Sequence, residues 1–578
     1  MEVREELARV LASRQFRNTI RLQRFLQVSV ERTLAGETDE LKEYTIGRDA
    51  FDRGDDFDPR TDSIVRVEAQ RLRGKLRDYY AAAGCADPVI ITVNPGSYVP
   101  VFTWAIPVAT PVAPETIAQP PDPNTVAVLP FANLSPEPEQ DYFCDGITED
   151  IINELTSIHD LNVVARTSSF VFKDSRLDLR EIGARLSAGT VIEGSVRKSG
   201  EMLRVSAKII DAASGRALWS ESFDRQTGDV FAIEDEIAGA IASTLRVTLA
   251  AHRGERNGPH GFEAYSLYLK GRHAWNRMTA AGFEDAIELY SRAVSLYPDY
   301  ALPHCGLADT FSWLAMWGIR SPREVFPKAK QAALESLRLD PLLAHAYTSL
   351  GVVQCHYDRE WQDGTAMLRR AIELESSYSV GHHMLGLSLM FQGRLDDAVP
   401  VLRRALKLDP LSVRTNRTLG WAYYCLNEAE HAEKLMLQAL AIDPDSPPTN
   451  FLMVEFYLHQ GRDEEALAIA EPLLQAPPNS FGWGAAAAAL ARSGRVNEAQ
   501  HVLDTMVGES ASECVDLLPV AMAYAAAGNI DRAFEYLAQA IEDGSPFSCC
   551  LLVDPLFEDL RADPRFDQLA ARVNLKGA

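Results

Sequence analysis

Three different spacings of apolar residues follow one another along this chain. Over residues 1–104 the spacing is helical at first. Met1–Ala12 reads as a helical start, Thr19–Leu34 carries Ile20, Leu22, Phe25, Leu26 and Val30 on one side, and Lys42–Phe51 forms a shorter helix. Val65, Ala69, Leu72, Leu76 and Tyr79 then recur in steps of three and four, which predicts one buried stripe of a further helix. Gly84 and Pro88 end it. Val89–Val93 is β-branched almost throughout, Asn94-Pro95-Gly96 has turn chemistry, and Ser97–Phe102 returns as a partner strand.

The polar side of the fourth helix changes the picture. Arg66, Arg71, Arg73, Lys75 and Arg77 stand there against one acid, Glu68, on a chain whose formal net charge is −24. Arg66, Gln70, Arg73 and Arg77 form a stripe beside the apolar one, with Arg71 and Lys75 further round. A concentrated cationic face on an acidic protein makes a polyanion the first candidate partner. Yet residues 1–104 hold 16 basic and 17 acidic residues, so general phosphate affinity is not expected. The acids gather in Glu37–Glu43 and Asp52–Asp62, away from the basic helix. A solvated surface helix is the plain alternative.

Helix, short helix, basic helix and hairpin in that order is the layout of a winged helix-turn-helix, whose last helix enters the major groove of double-stranded DNA. The run from Val65 to Leu76, followed by Thr92-Val93-Asn94-Pro95-Gly96-Ser97-Tyr98, resembles the output domain of OmpR-type response regulators and CadC-type activators. The resemblance implies base reading by Arg71, with Arg66, Val67 and Gln70 facing the groove. It implies phosphate contacts for Arg73 and Lys75, and brings Arg77, Asn94 and Ser97 to the DNA side as well. Asn94 stands where the family has a wing arginine and Gln70 where it often has another. The helical start replaces the family's opening sheet. A homodimer on repeated half-sites is implied by the same analogy.

Residues 105–124 are proline-rich and read as a semi-rigid linker. From 125 to 250 strands alternate with helices: strands at Thr125–Phe131, Asn162–Ala165 and Thr190–Val196, helices at Ile147–Ile158, Leu179–Leu186 and Val230–Leu249. Leu203–Ala212 and Ala217–Phe223 are expected to pair around Ser214-Gly215. This predicts a small α/β layer domain. Its Val-Ala-Val-Leu-Pro-Phe opening at Val126, its Asp-Gly-Ile-Thr-Glu-Asp-Ile run at Asp145 and its Leu-Trp-Ser-Glu-Ser-Phe-Asp run at Leu218 resemble the amino-terminal domain of TolB. That resemblance implies no catalytic residues. The cluster Asp141, Asp145, Glu149 and Asp150 reads as helix-start carboxylates rather than a metal site. Ser168 and Ser169 lack a nucleophile elbow, and no phosphate-cradling glycine loop follows the first strand. No enzyme activity, cofactor or metal is expected.

The third spacing is a repeat of 34 residues. Leu385-Gly386, Ala398, Leu402, Ala405 and Pro410 return as Leu419-Gly420, Ala432, Met436, Ala439 and Pro444, then as Met453-Val454, Ala466, Ala470, Leu473 and Pro478. Small residues let two helices approach and the proline ends the second, which is the tetratricopeptide signature. About eight units fill 262–550, and 551–578 reads as a capping helix. The expected fold is therefore multidomain and mainly α: winged helix-turn-helix, small α/β layer domain, then a tetratricopeptide (TPR) α-solenoid. A concave groove lined by the first helices would carry His383, Arg414, Arg417, Trp421 and Tyr424, with the two arginines able to clamp an acidic peptide or a carboxylate. His382-His383 reads as polar surface rather than metal ligands.

The eight cysteines are scattered without a C-x-x-C pair, the start lacks a secretory h-region, and no uninterrupted apolar run of about 18 residues occurs. Cytoplasmic localisation without a membrane contact is the natural expectation. The leading function is a DNA-binding transcriptional regulator in bacterial signalling, whose repeats take a protein or peptide partner. A scaffold that does not bind DNA is the alternative. A third reading is a cyclase-associated signalling protein without a catalytic domain of its own, because the TolB-like and repeat portions resemble the tails of some bacterial class III nucleotidyl cyclases.

Overall fold

The computed structural model describes residues 2–13, 16–17, 19–36, 38, 41–51, 54, 57, 64–80, 84, 87, 89–93, 97–104, 122–135, 140–158, 161–175, 177–200, 202–226, 236–237, 239–240, 262–475, 480–510 and 516–575. The chain divides into two units, Met1–Glu115 and Thr116–Ala578.

In the first unit the helices are α1 (Glu2–Ala12), α2 (Ile20–Leu34), α3 (Glu43–Phe51) and α4 (Ile64–Tyr80). An antiparallel hairpin of β1 (Val89–Val93) and β2 (Pro100–Trp104) follows, with Val93 opposite Pro100. All five stripe residues of α4 are buried, against Phe25, Leu26, Ile46 and the inward Val89, Ile91 and Val93 of β1. The return strand thus starts three residues later than the alternation suggests, and its turn, Asn94–Gly96, lies outside the described residues. The helical start is built in firmly. Val3, Leu7 and Val10 are buried, and the wholly buried Glu6 carboxylate accepts from Tyr80 Oη (3.0 Å) and Arg9 Nη2 (2.6 Å). Tyr80 Oη in turn accepts from the Ile91 amide at 2.9 Å. One buried acid therefore fixes α1 to both α4 and β1.

The second unit opens with a six-stranded mixed sheet. Its strands are β3 (Asp122–Val128), β4 (Ala132–Asn133), β5 (Asn162–Val163), β6 (Ala188–Ser199), β7 (Met202–Asp211) and β8 (Ala217–Gln226). Their order is β5-β3-β6-β7-β8, with β4 also on β6; β3 is parallel to β5 and β6, and β6-β7-β8 is an antiparallel meander. Alternation along β3 explains the two faces. Val126 and Val128 meet Phe143, Ile147 and Ile151 of α5 (Asp141–Thr156), whereas Ala127 and Leu129 belong with Ile182 of α7 (Leu179–Arg185). A one-turn helix, α6 (Arg166–Phe170), lies between them in sequence. Two sequence expectations need correcting. Helix α5 begins six residues before Ile147, so Asp145, Glu149 and Asp150 lie within it and not at its start. The strand β3 begins inside the expected linker 105–124, of which residues 105–121 lie outside the described residues. Of the expected helix Val230–Leu249, only 236–237 and 239–240 are described.

Eight helix pairs follow among the described residues: α8/α9 (Phe262–Trp275, Ala280–Leu296), α10/α11 (Ala301–Met316, Pro322–Leu339), α12/α13 (Ala344–Val353, Trp361–Leu374), α14/α15 (Ser379–Phe391, Leu395–Leu408), α16/α17 (Val413–Cys425, Ala429–Ile442), α18/α19 (Pro447–His459, Asp463–Leu473), α20/α21 (Ser480–Arg492, Val496–Ser510) and α22/α23 (Leu518–Ala526, Ile530–Asp543). The small positions do what the repeat requires. A Cβ on Gly386 would come within 2.5 Å of Leu402 Cγ, and one on Gly420 within 3.0 Å of Met436 Cγ, so glycine brings these two pairs close, whereas the next pair carries the buried Val454 at the same position.

Two long-range seams shape this unit. On one side the α/β layer is sewn to the repeats: the Ala165 amide donates to Leu408 O (2.8 Å), Ser377 Oγ donates to Leu161 O (2.6 Å), and Tyr265 Oη donates to Asp150 (2.6 Å). Ser168 Oγ donates to the buried Asp409 (2.5 Å) while accepting from the Leu411 amide (2.8 Å). On the other side the segment after α23, with two short helices at Glu558–Arg561 and Phe566–Arg572, reaches far back along the array. Trp361 Nε1 donates to Val573 O (3.2 Å) and Trp421 Nε1 to Asp554 (2.8 Å). Arg359, in left-handed backbone at φ +62° after a π turn at Gln354–Asp358, donates to Ser545 O (2.9 Å) and Ser548 Oγ (3.1 Å). The C-terminal segment lies on the last pair, where Arg565 meets Asp531 at 2.8 Å and stands over the Phe534 ring at 4.3 Å, and it also clasps the third and fifth pairs.

Candidate functional sites: a basic helix and an interior cavity

The stripe pattern of α4 buries one side and turns Arg66 and Arg71 outward, with 54% and 66% of their side chains exposed. Each has a carboxylate neighbour: Arg66 Nε lies 3.5 Å from Glu43, and Arg71 Nη1 lies 3.0 Å from Glu68. Only the arginine of each pair stands well out, since the Glu43 and Glu68 side chains are 26% and 9% exposed. Arg73 is differently placed. Its Nε donates to Val93 O (3.0 Å) and its Nη2 to Ser97 O (2.9 Å), so it holds the two ends of the hairpin turn instead of standing free for phosphate. Ser97 Oγ accepts from the Val99 amide at 3.1 Å, and Tyr98 Oη donates to Glu43 at 2.6 Å. Lys75 is half-buried on the same helix. The side chains of Val67, Gln70 and Arg77, and Asn94 as a whole, lie outside the described residues.

The second site is a cavity of about 740 Å³ inside the second unit. It is walled by first helices of successive pairs, by α5 and α6 of the α/β layer, and by the returning C-terminal segment. Four of the five expected groove residues, His383, Arg414, Arg417 and Trp421, line it. Tyr424, one turn past Trp421, is buried between pairs with its ring edge-on to Phe456 (5.7 Å). Trp421 is shared, since its indole also donates to Asp554. His383 is not polar surface: it is buried, its Nε2 lies 3.0 Å from Thr418 Oγ1, and burial together with the two arginines holds it well below the usual imidazole range, hence neutral. His382 turns its Nε2 to Ser376 O at 3.0 Å.

The cavity's charges fall into two groups. At the α/β wall the buried Glu149 carboxylate meets Arg166 Nε (3.2 Å) and Arg272 Nη2; one turn earlier on α5 and outside the cavity lining, Asp145 meets Lys173 Nζ (2.6 Å). Burial pushes Glu149 up, but the two guanidinium groups outweigh it and keep the carboxyl below its ordinary range. Of the acids that sequence alone assigns to a helix start, Glu149 and Asp150 thus anchor the α/β layer on the first repeat helix, while Asp141 is exposed at the start of α5. The second group is cationic. Arg414 sits with its Cζ 5.0 Å from the Trp313 ring centre, and neither Arg414 nor Arg417 has an ion pair within 4.0 Å among the described residues. Burial and the neighbouring Arg414 push Arg417 down to about 10; burial lowers Arg414 too, against the pull of Asp409. Sequence reading missed the Arg166 and Glu149 wall, Trp313 and Asp309. Burial raises Asp309 to about 6, and it accepts from Ser349 Oγ. No periodicity marks these residues, because the α/β layer supplies half of them. Among the described residues there is no cluster of metal-ligating groups and no helix long and apolar enough to cross a membrane.

The eight pairs and their close helix contacts form a region like a tetratricopeptide repeat solenoid. Residues 383–447 and 432–492 match tetratricopeptide repeat family models. The chain is similar to putative adenylate cyclase 3 of Rhizobium meliloti (strain 1021), 32% identical over 308 residues, which cover 52% of this chain and 46% of the relative. It is also similar to transcriptional regulator HilA of Salmonella typhimurium, 23% identical over 305 residues, 52% of each chain. The chain thus spans about half the length of these relatives. Among solved structures, a thermophilic TPR protein of Thermus thermophilus aligns at 18% identity over 34% of this chain and 99% of its own, with a TM-score of 0.29.

Proposed function

We propose that this chain is a cytoplasmic, DNA-binding transcriptional regulator. The first unit acts as a winged helix-turn-helix with α4 in the major groove and the β1–β2 hairpin as its wing. The observation that carries this reading is the outward placement of Arg66 and Arg71 on a helix whose opposite stripe is fully buried. In this reading Arg71 reads a base edge with Arg66 facing the groove beside it, Lys75 meets the backbone, and Arg73 positions the wing. Val67, Gln70, Arg77, Asn94 and Ser97 are the remaining contact candidates. The name of the HilA relative supports the reading, and the proposed homodimer would place two such helices on repeated half-sites.

The α/β layer in this proposal is a TolB-like, non-catalytic module, and the TPR array takes a protein or peptide partner on its surface. The adenylate cyclase name is a similarity over 52% of the chain and assigns no catalytic residue to it. The test is genomic footprinting of the full chain beside its Arg71→Ala variant. Arg71→Ala is expected to lose discrete sites by about 10–100-fold while the fold is retained. No discrete sites for the full chain would end the regulator reading, and identical sites for both proteins would end the role given to Arg71. A scaffold that does not bind DNA is favoured by one observation, the carboxylate partner beside each exposed arginine.

A further inference from the structure

The cavity in the second unit is rich in buried donors that have nothing to donate to. The donors Arg414 Nε and Trp275 Nε1 belong to cavity-lining residues, are buried and lack a hydrogen-bond partner; His383 Nδ1, donor or acceptor by tautomer, is a third buried polar atom of the wall without one. The Arg417 guanidinium lies in the same wall without an ion pair among the described residues. Buried donors left unsatisfied are rare in folded proteins and costly, and a buried uncompensated cation is costlier still. Carboxylates near the site do not fill the gap. Asp409 is turned to Ser168, Glu149 to Arg166 and Arg272, and Asp309 to Ser349. The rest of the wall is apolar and aromatic, with Trp313, Trp317, Phe451 and Phe547 among its members. About 740 Å³ falls within the range of small-molecule sites.

We propose that this cavity binds a small organic carboxylate with an apolar body, its anionic end on Arg414 and Arg417 and its body against the tryptophan and phenylalanine wall. Guanidinium groups take a carboxylate in a two-bond fork, which suits a pair of them facing one space. A small molecule fits better than a peptide strand, because the α/β layer and the C-terminal clasp both contribute to the wall of what would otherwise be an open groove. Occupancy would span the α/β layer, the middle repeats and the clasp, so it would stiffen the contacts among all three. This inference is independent of DNA binding and survives or fails without it.

The test uses the full chain and two ligand bodies, each in charged and neutral form: 2-naphthoate with 2-naphthamide, and decanoate with decanamide. Isothermal titration is expected to show at least one carboxylate binding about 10–100-fold more tightly than its amide, the worth of hydrogen bonds to a charged group. Arg417→Met, checked for fold by circular dichroism, is expected to erase that preference while leaving amide binding within a few-fold. Equal affinity for acid and amide, or no binding of either body, would overturn the proposal. So would displacement of the carboxylate by an equal concentration of inorganic phosphate. The comparison of acid with amide needs no variant, so a misfolded Arg417→Met protein does not remove the test.

Discussion

Arg73 Nη2 donates to the main-chain carbonyl of Ser97 across 2.9 Å, tying the middle of the basic helix to the far side of the hairpin turn. With the second bond from Nε to Val93 O, one guanidinium spans both flanks of a turn whose own residues are glycine, proline and asparagine. The side chain that sequence pattern offers to phosphate is thereby a structural brace, and the cations left outward are fewer than the composition of the helix implies.

Replacing Arg73 with alanine should therefore loosen the hairpin before it weakens any DNA contact. Loss of two bonds from a charged donor is worth roughly 1–3 kcal/mol. Hydrogen exchange at the β1 and β2 amides should speed up while α2 amides stay protected. Unchanged exchange in the hairpin would contradict the brace.

Glu149→Gln should be among the most damaging single changes in the second unit. It leaves Arg166 and Arg272 buried with their shared anion gone, a situation that costs roughly 3–5 kcal/mol. Urea unfolding of the variant should begin well below the wild-type midpoint. A midpoint within experimental scatter of wild type would mean the cluster is wetter than its burial implies.

Ser168→Ala probes the seam between sheet and repeats. It removes the donor to Asp409 and the acceptor for the Leu411 amide together, and an expected loss is about 1–3 kcal/mol. Limited proteolysis should then cut between the α/β layer and the array sooner than in wild type. Equal cleavage rates would show that apolar packing alone holds the seam.

Glu455 gives a pH test. Both its oxygens are buried without a hydrogen-bond partner, and burial with Asp554 nearby raises its carboxyl well above the ordinary range. Burial raises Asp554 to about 6, against the pull of its bonds to the Leu556 amide and Trp421 and of the nearby Arg561. Acids raised in the folded state favour folding when protonated, so their stabilisation is complete in acid and fades as pH rises through about 6 and beyond. Glu455→Gln should gain at least about 1 kcal/mol at pH 8 and little at pH 4. Melting curves at both pH values decide it, and a gain of equal size at each would exclude a titrating acid as its source.

Much of this was legible from spacing. Val65, Ala69, Leu72, Leu76 and Tyr79 announce α4 because a helix repeats faster than chance does. The 34-residue return of Gly386 and Gly420 announces the array because a glycine lets a second helix come close. The same repeat brings His383, Arg414, Arg417 and Trp421 to the inner side, but it carries Tyr424 a turn too far, into the joint between pairs. What spacing does not show are partners chosen across the chain. Glu149 with Arg272, Ser168 with Asp409 and Trp361 with Val573 are separated by more than 100 residues each. No local pattern distinguishes such a residue from an ordinary surface polar one.

The backward reach of the C-terminal segment has one more consequence. In a linear solenoid each unit leans only on its neighbours, so units can be added or trimmed at the free end with little effect elsewhere. Here Val573 and Asp554 hold indoles of the third and fifth helix pairs, which turns a string into a loop. A protein built like that does not fray: removing its last twenty-odd residues should release the middle, and growth by duplication at that end would tear the hoop open.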